Sequence, residues 1–351
     1  MKNILLILVG GTICTALQEN NILSVNEKAG ALIKSNFEQS DSPFAKEMCI
    51  DLTENMLILS ENMTVDQWNR ITEVYVKYTS AKKYDGVIFA HGTDTLAYTA
   101  SLFSMLLSKT DIPVFFVSSQ KRLDAEGANG NQNFKYAADL IGYGVTPNVY
   151  VTYQNPSDGR MYLHLASGTE QCKNYSDDFY SCGMLDITDI CAQNKEKFLS
   201  RIEEMYPPEK RKAFLDIYKC PKLQECVLLL HPYVGIRYDA YDYSRFRAVL
   251  HTTFHSGTAC AAENSPNSVF HMIQRCAEAE TAVDAYISPS KTDGEIYETV
   301  QKIADCNIKF LYGMTTETAY TKLLIAYSCF DNAKDRETFI QTECNFEFAE
   351  K

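Results

Sequence analysis

Ile4-Leu5-Leu6-Ile7-Leu8-Val9 is an unbroken apolar run that ends in Gly10-Gly11-Thr12-Ile13. Val87-Ile88-Phe89-Ala90 is a second, and it ends in His91-Gly92-Thr93-Asp94-Thr95. Short continuous apolar runs closed by glycine read as strands buried on both faces, which need helices above and below them. The first 200 or so residues alternate such runs with helical patterns, the signature of an α/β chain.

After the first strand, residues 15–45 are polar and read as an irregular loop. Met56-Leu57-Ile58-Leu59 reads as a second short strand. Thr64, with Gln67 at the capping-box position, opens a helix running to about Lys83. A helix follows from about Thr95 to Ser108, then a strand at Pro113–Val117 ending in Ser118-Ser119-Gln120. Beyond a polar loop, Asp124–Asn133, come a helix to about Leu140 and a strand at Val149–Tyr153. Asp158-Gly159 reads as a hairpin turn with Arg160–Leu163 returning.

Residues 193–222 are rich in Lys, Glu and Arg and contain Pro207-Pro208, the composition of a linker with a short exposed helix. A second α/β region starts near Cys226, with strands at Val227–Leu230, Ala248–Leu250, Ala285–Ile287 and Lys309–Tyr312 and a helix from about Thr316 to Ser328. The expected architecture is a larger N-terminal, open, mainly parallel sheet of flavodoxin/Rossmann-like type (1–195), a linker (196–224) and a smaller C-terminal α/β domain (225–351). The 351-residue length, beyond one usual core, agrees with two domains.

The net charge of −12 argues against nucleic acid and anionic membrane surfaces, both of which require a basic face. The 12 cysteines are dispersed, with no CxxC pair, and read as free thiols in a reducing compartment. The 6 histidines form no HExxH motif, so no metal site is expected. The N-terminal apolar run is too short for a signal peptide, and no stretch is long enough to span a membrane. These features place the chain in the cytoplasm.

Three strand ends, Gly10–Thr12, His91–Thr95 and Ser118–Gln120, point the same way, and open parallel sheets bind ligands at the carboxyl ends of their strands. The glycines let backbone N–H groups approach a ligand, as an oxyanion site requires. Thr12 and Thr93 offer hydroxyl nucleophiles and Asp94 a carboxylate. A bare threonine needs a base or a polarising network. Taken alone, Gly10-Gly11-Thr12 is also a tight strand-to-helix turn, and Thr93-Asp94-Thr95 an ordinary helix N-cap.

With its GGTI loop after the first strand and its HGTDT loop opening a helix, the chain resembles the bacterial-type L-asparaginase/glutaminase family. Ser60-Glu61-Asn62-Met63 is similar to that family's substrate-holding loop, and Ser118-Ser119-Gln120, with Asn129-Gly130 and Asn133, to a further site loop. Gly313-Met314-Thr315-Thr316-Glu317 with Thr321-Lys322-Leu323 resembles the small domain of the cytoplasmic type I branch. The resemblance implies an L-asparagine amidohydrolase with Thr12 as nucleophile and no metal or cofactor. Thr93 would position water or polarise the amide, and Asp94 would orient its partners and hold the substrate amine. Ser60 would bind the α-carboxylate and Glu61 would sit beside the α-amino group. Gly11, Gly92 and Thr93 would supply backbone N–H groups, and Ser119 would line the amide end.

Two departures stand out. The family places a tyrosine about ten residues past the first threonine, yet none occurs between Thr12 and Tyr75, and the nearest register puts Ile22 there. Counting from Arg160 puts His164 at the family's lysine position. However, Lys173, Asp177 and Phe179 reproduce the type I spacing, at the cost of roughly ten extra hairpin residues. Lys173 is favoured and His164 is the second choice. The resemblance also implies a homodimer or homotetramer, with His251, His255 and Ser256-Gly257-Thr258 as contact candidates. Open alternatives are a glutaminase or other ω-amidase, the amide-hydrolysing subunit of a tRNA-dependent amidotransferase, and a degenerate amino-acid-binding homologue. The second usually carries an extra N-terminal barrel, and this sequence starts at its first strand.

Overall fold

The structure, a computed structural model, describes residues 1–17, 23–190, 195–289, 297–306 and 308–348. The chain divides into two compact units, one of residues 1–220 with 344–346 and the other of residues 221–343 with 347–351.

The first unit is built on a seven-stranded sheet among the described residues. Its strands are β1 (Lys2–Leu8), β2 (Met48–Leu52), β3 (Gly86–Ala90), β4 (Val114–Val117), β5 (Val149–Gln154), β6 (Met161–Leu165) and β7 (Leu185–Asp186). They lie in the order β7-β6-β5-β4-β3-β1-β2. The five strands β1–β5 are parallel, and β6 and β7 complete one edge antiparallel. Read from the β2 edge, the parallel part runs 2-1-3-4-5, the flavodoxin-like order, which reverses direction between β1 and β3. Burial of β1, β3 and β4 explains their continuous apolar sequences: Ile4–Leu8, Val87–Ala90 and Val114–Val117 are almost wholly inaccessible.

The helices of this unit are α1 (Ala29–Glu38), α2 (Val65–Ala81), α3 (Leu96–Leu106), α4 (Gly130–Tyr143) and α5 (Lys195–Met205). Helix α2 starts as expected: the Thr64 hydroxyl accepts from Gln67 N at 3.3 Å and the Gln67 side chain accepts from Thr64 N at 2.7 Å. Its Trp68, Ile71 and Tyr75 are buried, and Trp68 Nε1 donates to Thr99 Oγ1 on α3 at 2.9 Å. Helix α5 lies in the charged stretch read as a linker, and its Ile202 is fully buried in the core of this unit.

Two local readings change. The polar segment 15–45 contains α1, which buries Ile33 and Phe37, and a two-strand hairpin, Thr15–Leu17 with Leu23–Val25. Met56–Leu59 is not a sheet strand: Leu57 takes φ 57°, which breaks the extended run, and only Ile58 bridges to Gly10. The strand beside β1 is Met48–Leu52 instead.

The second unit carries a four-stranded parallel sheet, β8 (Val227–Leu230), β9 (Ala248–Thr252), β10 (Asp284–Ser288) and β11 (Lys309–Phe310), in that order. Helices α6 (Val269–Glu278), α7 (Glu298–Ala304), α8 (Thr316–Cys329) and α9 (Ala333–Gln341) accompany it. Eleven cysteines among the described residues carry free thiols; Cys191 lies outside those residues. Among the described residues, no helix is long and apolar enough to cross a membrane.

Candidate active site

The site forms where the strand order reverses, because the loops after β1 and β3 emerge side by side. Gly10 and Gly11 take φ 138° and 75°, conformations that favour glycine. A Cβ on Gly10 would stand 2.1 Å from Ile58 O, and one on Gly11 2.0 Å from the Cα of Gly92. A Cβ on Gly92 would in turn stand 2.4 Å from Ser60 Oγ. The Gly10–Thr12 loop is therefore packed backbone to backbone against Gly92 and Ile58, and Gly92 is packed against the Ser60 side chain. Gly11 N donates to Ile58 O at 2.9 Å and locks the first loop in place. That N–H, expected to face a ligand, is thereby committed within the fold.

Thr12 opens a 3-10 turn and is half-buried, and Thr15 Oγ1 donates to its carbonyl at 2.9 Å. Among the described residues, no hydrogen bond engages the Thr12 or Thr93 hydroxyl. Ser60 is buried and donates through Oγ to Asp94 Oδ2 at 2.9 Å. Its Oγ accepts from Asp94 N at 3.3 Å, and its carbonyl accepts from Thr95 Oγ1 at 2.9 Å. The Asp94 carboxylate is thus aimed by Ser60 while remaining exposed, as Glu61 also does.

His91, inside the motif, plays a different part. It is fully buried, and its Nδ1 carries the proton that it gives to Gly92 O at 2.8 Å. Burial pushes its pKa down to about 4, so it is neutral at pH 7 and packs edge-on against Phe116.

The other expected residues are placed as follows. Lys173 is exposed, with its ammonium 5.7 Å from the centre of the Tyr180 ring. Among the described residues it makes no hydrogen bond to Thr93 or Asp94. His164, on β6, is fully buried; its Nδ1 lies 2.8 Å from Ser181 Oγ, and burial pushes its pKa down to about 3. Ser119 is buried, and its hydroxyl donates to Lys121 O and accepts from Gly130 N at 3.1 Å, which ties it to the start of α4. Ile22 lies outside the described residues.

In the second unit, His251 is buried and shares a 2.6 Å hydrogen bond with Tyr238 OH, and burial pushes its pKa down to about 4. His255 is exposed, and Ser256 Oγ lies 3.0 Å from Thr258 Oγ1.

The structure adds a residue that sequence reasoning passed over. Gln171 donates through Nε2 to Asp94 O and to Thr93 O, at 3.4 Å for the latter, and accepts from Ala97 N at 3.2 Å. No spacing rule points to it, since its partners lie more than 70 residues upstream.

The arrangement brings Thr12 and Thr93 to neighbouring strand ends, with the glycines of their loops in contact and a serine-oriented carboxylate next to Thr93 in the chain. The sequence-family model described as Asparaginase, N-terminal, matches residues 3–197. The chain belongs to the asparaginase family. The L-asparaginase of Thermococcus kodakarensis superposes with a TM-score of 0.73 at 16% identity, covering 99% of this chain and 100% of that one. L-asparaginase I of Vibrio cholerae superposes with a TM-score of 0.68 at 21% identity, covering 99% of each. At these identities the likeness shows the fold. Among curated relatives, a glutamyl-tRNA(Gln) amidotransferase subunit from Thermococcus kodakarensis is 25% identical over 271 residues. That match takes in 76% of this asparaginase-family chain and only 59% of the relative.

Proposed function

We propose that this asparaginase-family protein hydrolyses the side-chain amide of L-asparagine through Thr12. The observation that carries the reading is the contact of the Gly10–Thr12 loop with Gly92, which in turn packs on Ser60, at the point where the strand order reverses. There Thr12 Oγ attacks the amide carbon and a tetrahedral intermediate forms. Backbone N–H groups at Gly92 and Thr93 stabilise its oxyanion, since that of Gly11 is already given to Ile58 O. The C–N bond breaks, ammonia leaves with the hydroxyl proton, and an acyl-enzyme remains. Water oriented by Thr93 then hydrolyses the ester, releases aspartate and restores the hydroxyl.

Asp94 holds the substrate amine, with Glu61 beside it, and Ser60 turns its hydroxyl from Asp94 to bind the α-carboxylate. Lys173 leaves Tyr180 to reach Thr93; an exposed cation–π contact is worth only about 0.5–1 kcal/mol, so this is a small cost. Ser119 borders the amide end.

The first test is ammonia release from asparagine, glutamine and other ω-amides. Turnover of asparagine that falls at least 1,000-fold in Thr12→Ala and Asp94→Ala, with folding intact, is the expected result. Full activity in Thr12→Ala would refute the mechanism.

The curated relatives named as glutamyl-tRNA(Gln) amidotransferase subunits favour a second reading, in which the liberated ammonia serves an aminoacyl-tRNA. This chain spans about three fifths of the length of those relatives. A kcat/KM for free asparagine well above that for glutamine supports the first reading, and the reverse order supports the second.

A further inference from the structure

Helix α3 begins directly at the Thr93–Thr95 turn, and its first N–H groups have no intrahelical acceptor. Such groups are usually satisfied by the side chain of the N-cap residue. Thr95 stands at that position, and its hydroxyl goes instead to Ser60 O at 2.9 Å. The Asp94 carboxylate, the other acceptor within the turn, is held by Ser60 Oγ at 2.9 Å. Both local capping groups are therefore turned toward the site, and the α3 terminus is capped from elsewhere.

Gln171 supplies that cap. Its Oε1 accepts from Ala97 N at 3.2 Å, and its Nε2 donates to Asp94 O and to Thr93 O. The amide orientation follows from the chemistry, because the reverse placement would set Oε1 against two carbonyl oxygens. One side chain thus joins a donor of α3 to two carbonyls of the turn, and it stands two residues before Lys173 in the chain.

We propose that Gln171 is a positioning residue. It holds the Thr93–Thr95 turn against α3, and so lets Thr95 and Asp94 point at the substrate-holding Ser60 turn rather than cap their own helix. This rests on the amidohydrolase reading for its catalytic consequence, but not for its structural one.

Two readouts test it on the full chain. Amide hydrogen exchange at Ala97 is expected to accelerate at least tenfold in Gln171→Ala, with Leu102, in the interior of the same helix, unchanged. Asparagine turnover is expected to fall about 10- to 100-fold in kcat/KM, the scale of a misplaced catalytic group.

Gln171→Glu sharpens the test. An ionised carboxylate cannot donate to Asp94 O or Thr93 O, whereas a protonated one can. Its kcat/KM is expected to lie below that of Gln171→Ala near pH 8. Relative to the native enzyme, it is expected to recover toward pH 5, as the carboxyl approaches its titration range. Should Gln171→Ala not fold, Gln171→Met, of similar length and with neither the amide donor nor its acceptor, gives the same exchange and activity readouts.

Unchanged exchange at Ala97, or a Gln171→Glu profile parallel to that of the native enzyme, overturns the proposal. If the native protein hydrolyses neither asparagine nor glutamine, the amidohydrolase reading fails, and exchange at Ala97 still decides the role of Gln171.

Discussion

Gly11 and Gly159 share a left-handed backbone, φ 75° and 70°, in opposite surroundings. A Cβ on Gly11 would meet the Gly92 backbone at 2.0 Å, where no flexible side chain can move aside. A Cβ on Gly159 would meet nothing within 4 Å. Gly11→Ala therefore combines the left-handed penalty with an overpacking clash, about 2–5 kcal/mol together, and should abolish ammonia release. Gly159→Ala carries only the backbone term of about 1–2 kcal/mol and should leave activity intact. Thermal unfolding and an ammonia assay on both variants separate the two; equal losses would contradict the loop-to-loop contact. At this scale the sequence foretold a close approach at Gly11 but assigned it to a ligand, whereas the Gly92 backbone fills it and the Gly11 N–H goes to Ile58 O. Gln171 could not be foreseen, because a glutamine has no positional signature and its partners are remote in the chain. The spacing that singles out Lys173 says nothing of where its long side chain rests.

The elements most legible in sequence were those with a local code. Helix α2 is announced by Thr64 and Gln67, whose side chains and backbones reciprocate. Thr64→Ala should lower stability by about 1 kcal/mol, as loss of an N-cap does, and a urea titration would show it. An unchanged urea midpoint would mean that the cap contributes nothing here. Strands β1, β3 and β4 were legible because burial on both faces leaves a continuous apolar run. Helix α1 was not: it starts at Ala29 with no side-chain cap and buries only Ala29, Gly30, Ile33 and Phe37. Strand β2 escaped because Asp51 interrupts it. That carboxylate is matched only in the fold, by Lys82 at 2.8 Å and Tyr84 OH at 3.0 Å, which hold its pKa below the usual range. Met56–Leu59 misled for the opposite reason, being apolar enough for a strand while Leu57 turns the chain out of one.

For the molecule as a whole, two units with separate cores make a single unfolding free energy ill-defined, and a probe confined to one of them is needed. The only tryptophan, Trp68, is buried in the first unit and supplies that probe. In that unit His91 and His164 are buried and neutral, with folded pKa values pushed down to about 4 and about 3. The unfolded chain protonates both below about pH 6.5, whereas the folded unit does so only below those values. Each therefore contributes stability that is full above about pH 6.5 and is lost as pH falls toward its folded value, at about 1.4 kcal/mol per pH unit.

Asp139 works in the opposite sense. Burial raises its pKa to about 6, against the Ser42 hydrogen bond and the Lys135 ammonium, and among the described residues its Oδ2 has no hydrogen-bond partner. Its contribution is full below about pH 4 and is lost as pH rises through about 6. Between about pH 6 and pH 4 two histidines oppose one aspartate, so the first unit should lose about 1.4 kcal/mol per pH unit. Asp139→Asn removes the opposing group. It should raise stability at pH 7, give no gain near pH 4, and roughly double the slope between them. Urea unfolding followed by Trp68 fluorescence at pH 7, 6 and 5 measures this directly. A midpoint that stays level across that range in the native chain would show that the buried histidines do not govern its acid sensitivity.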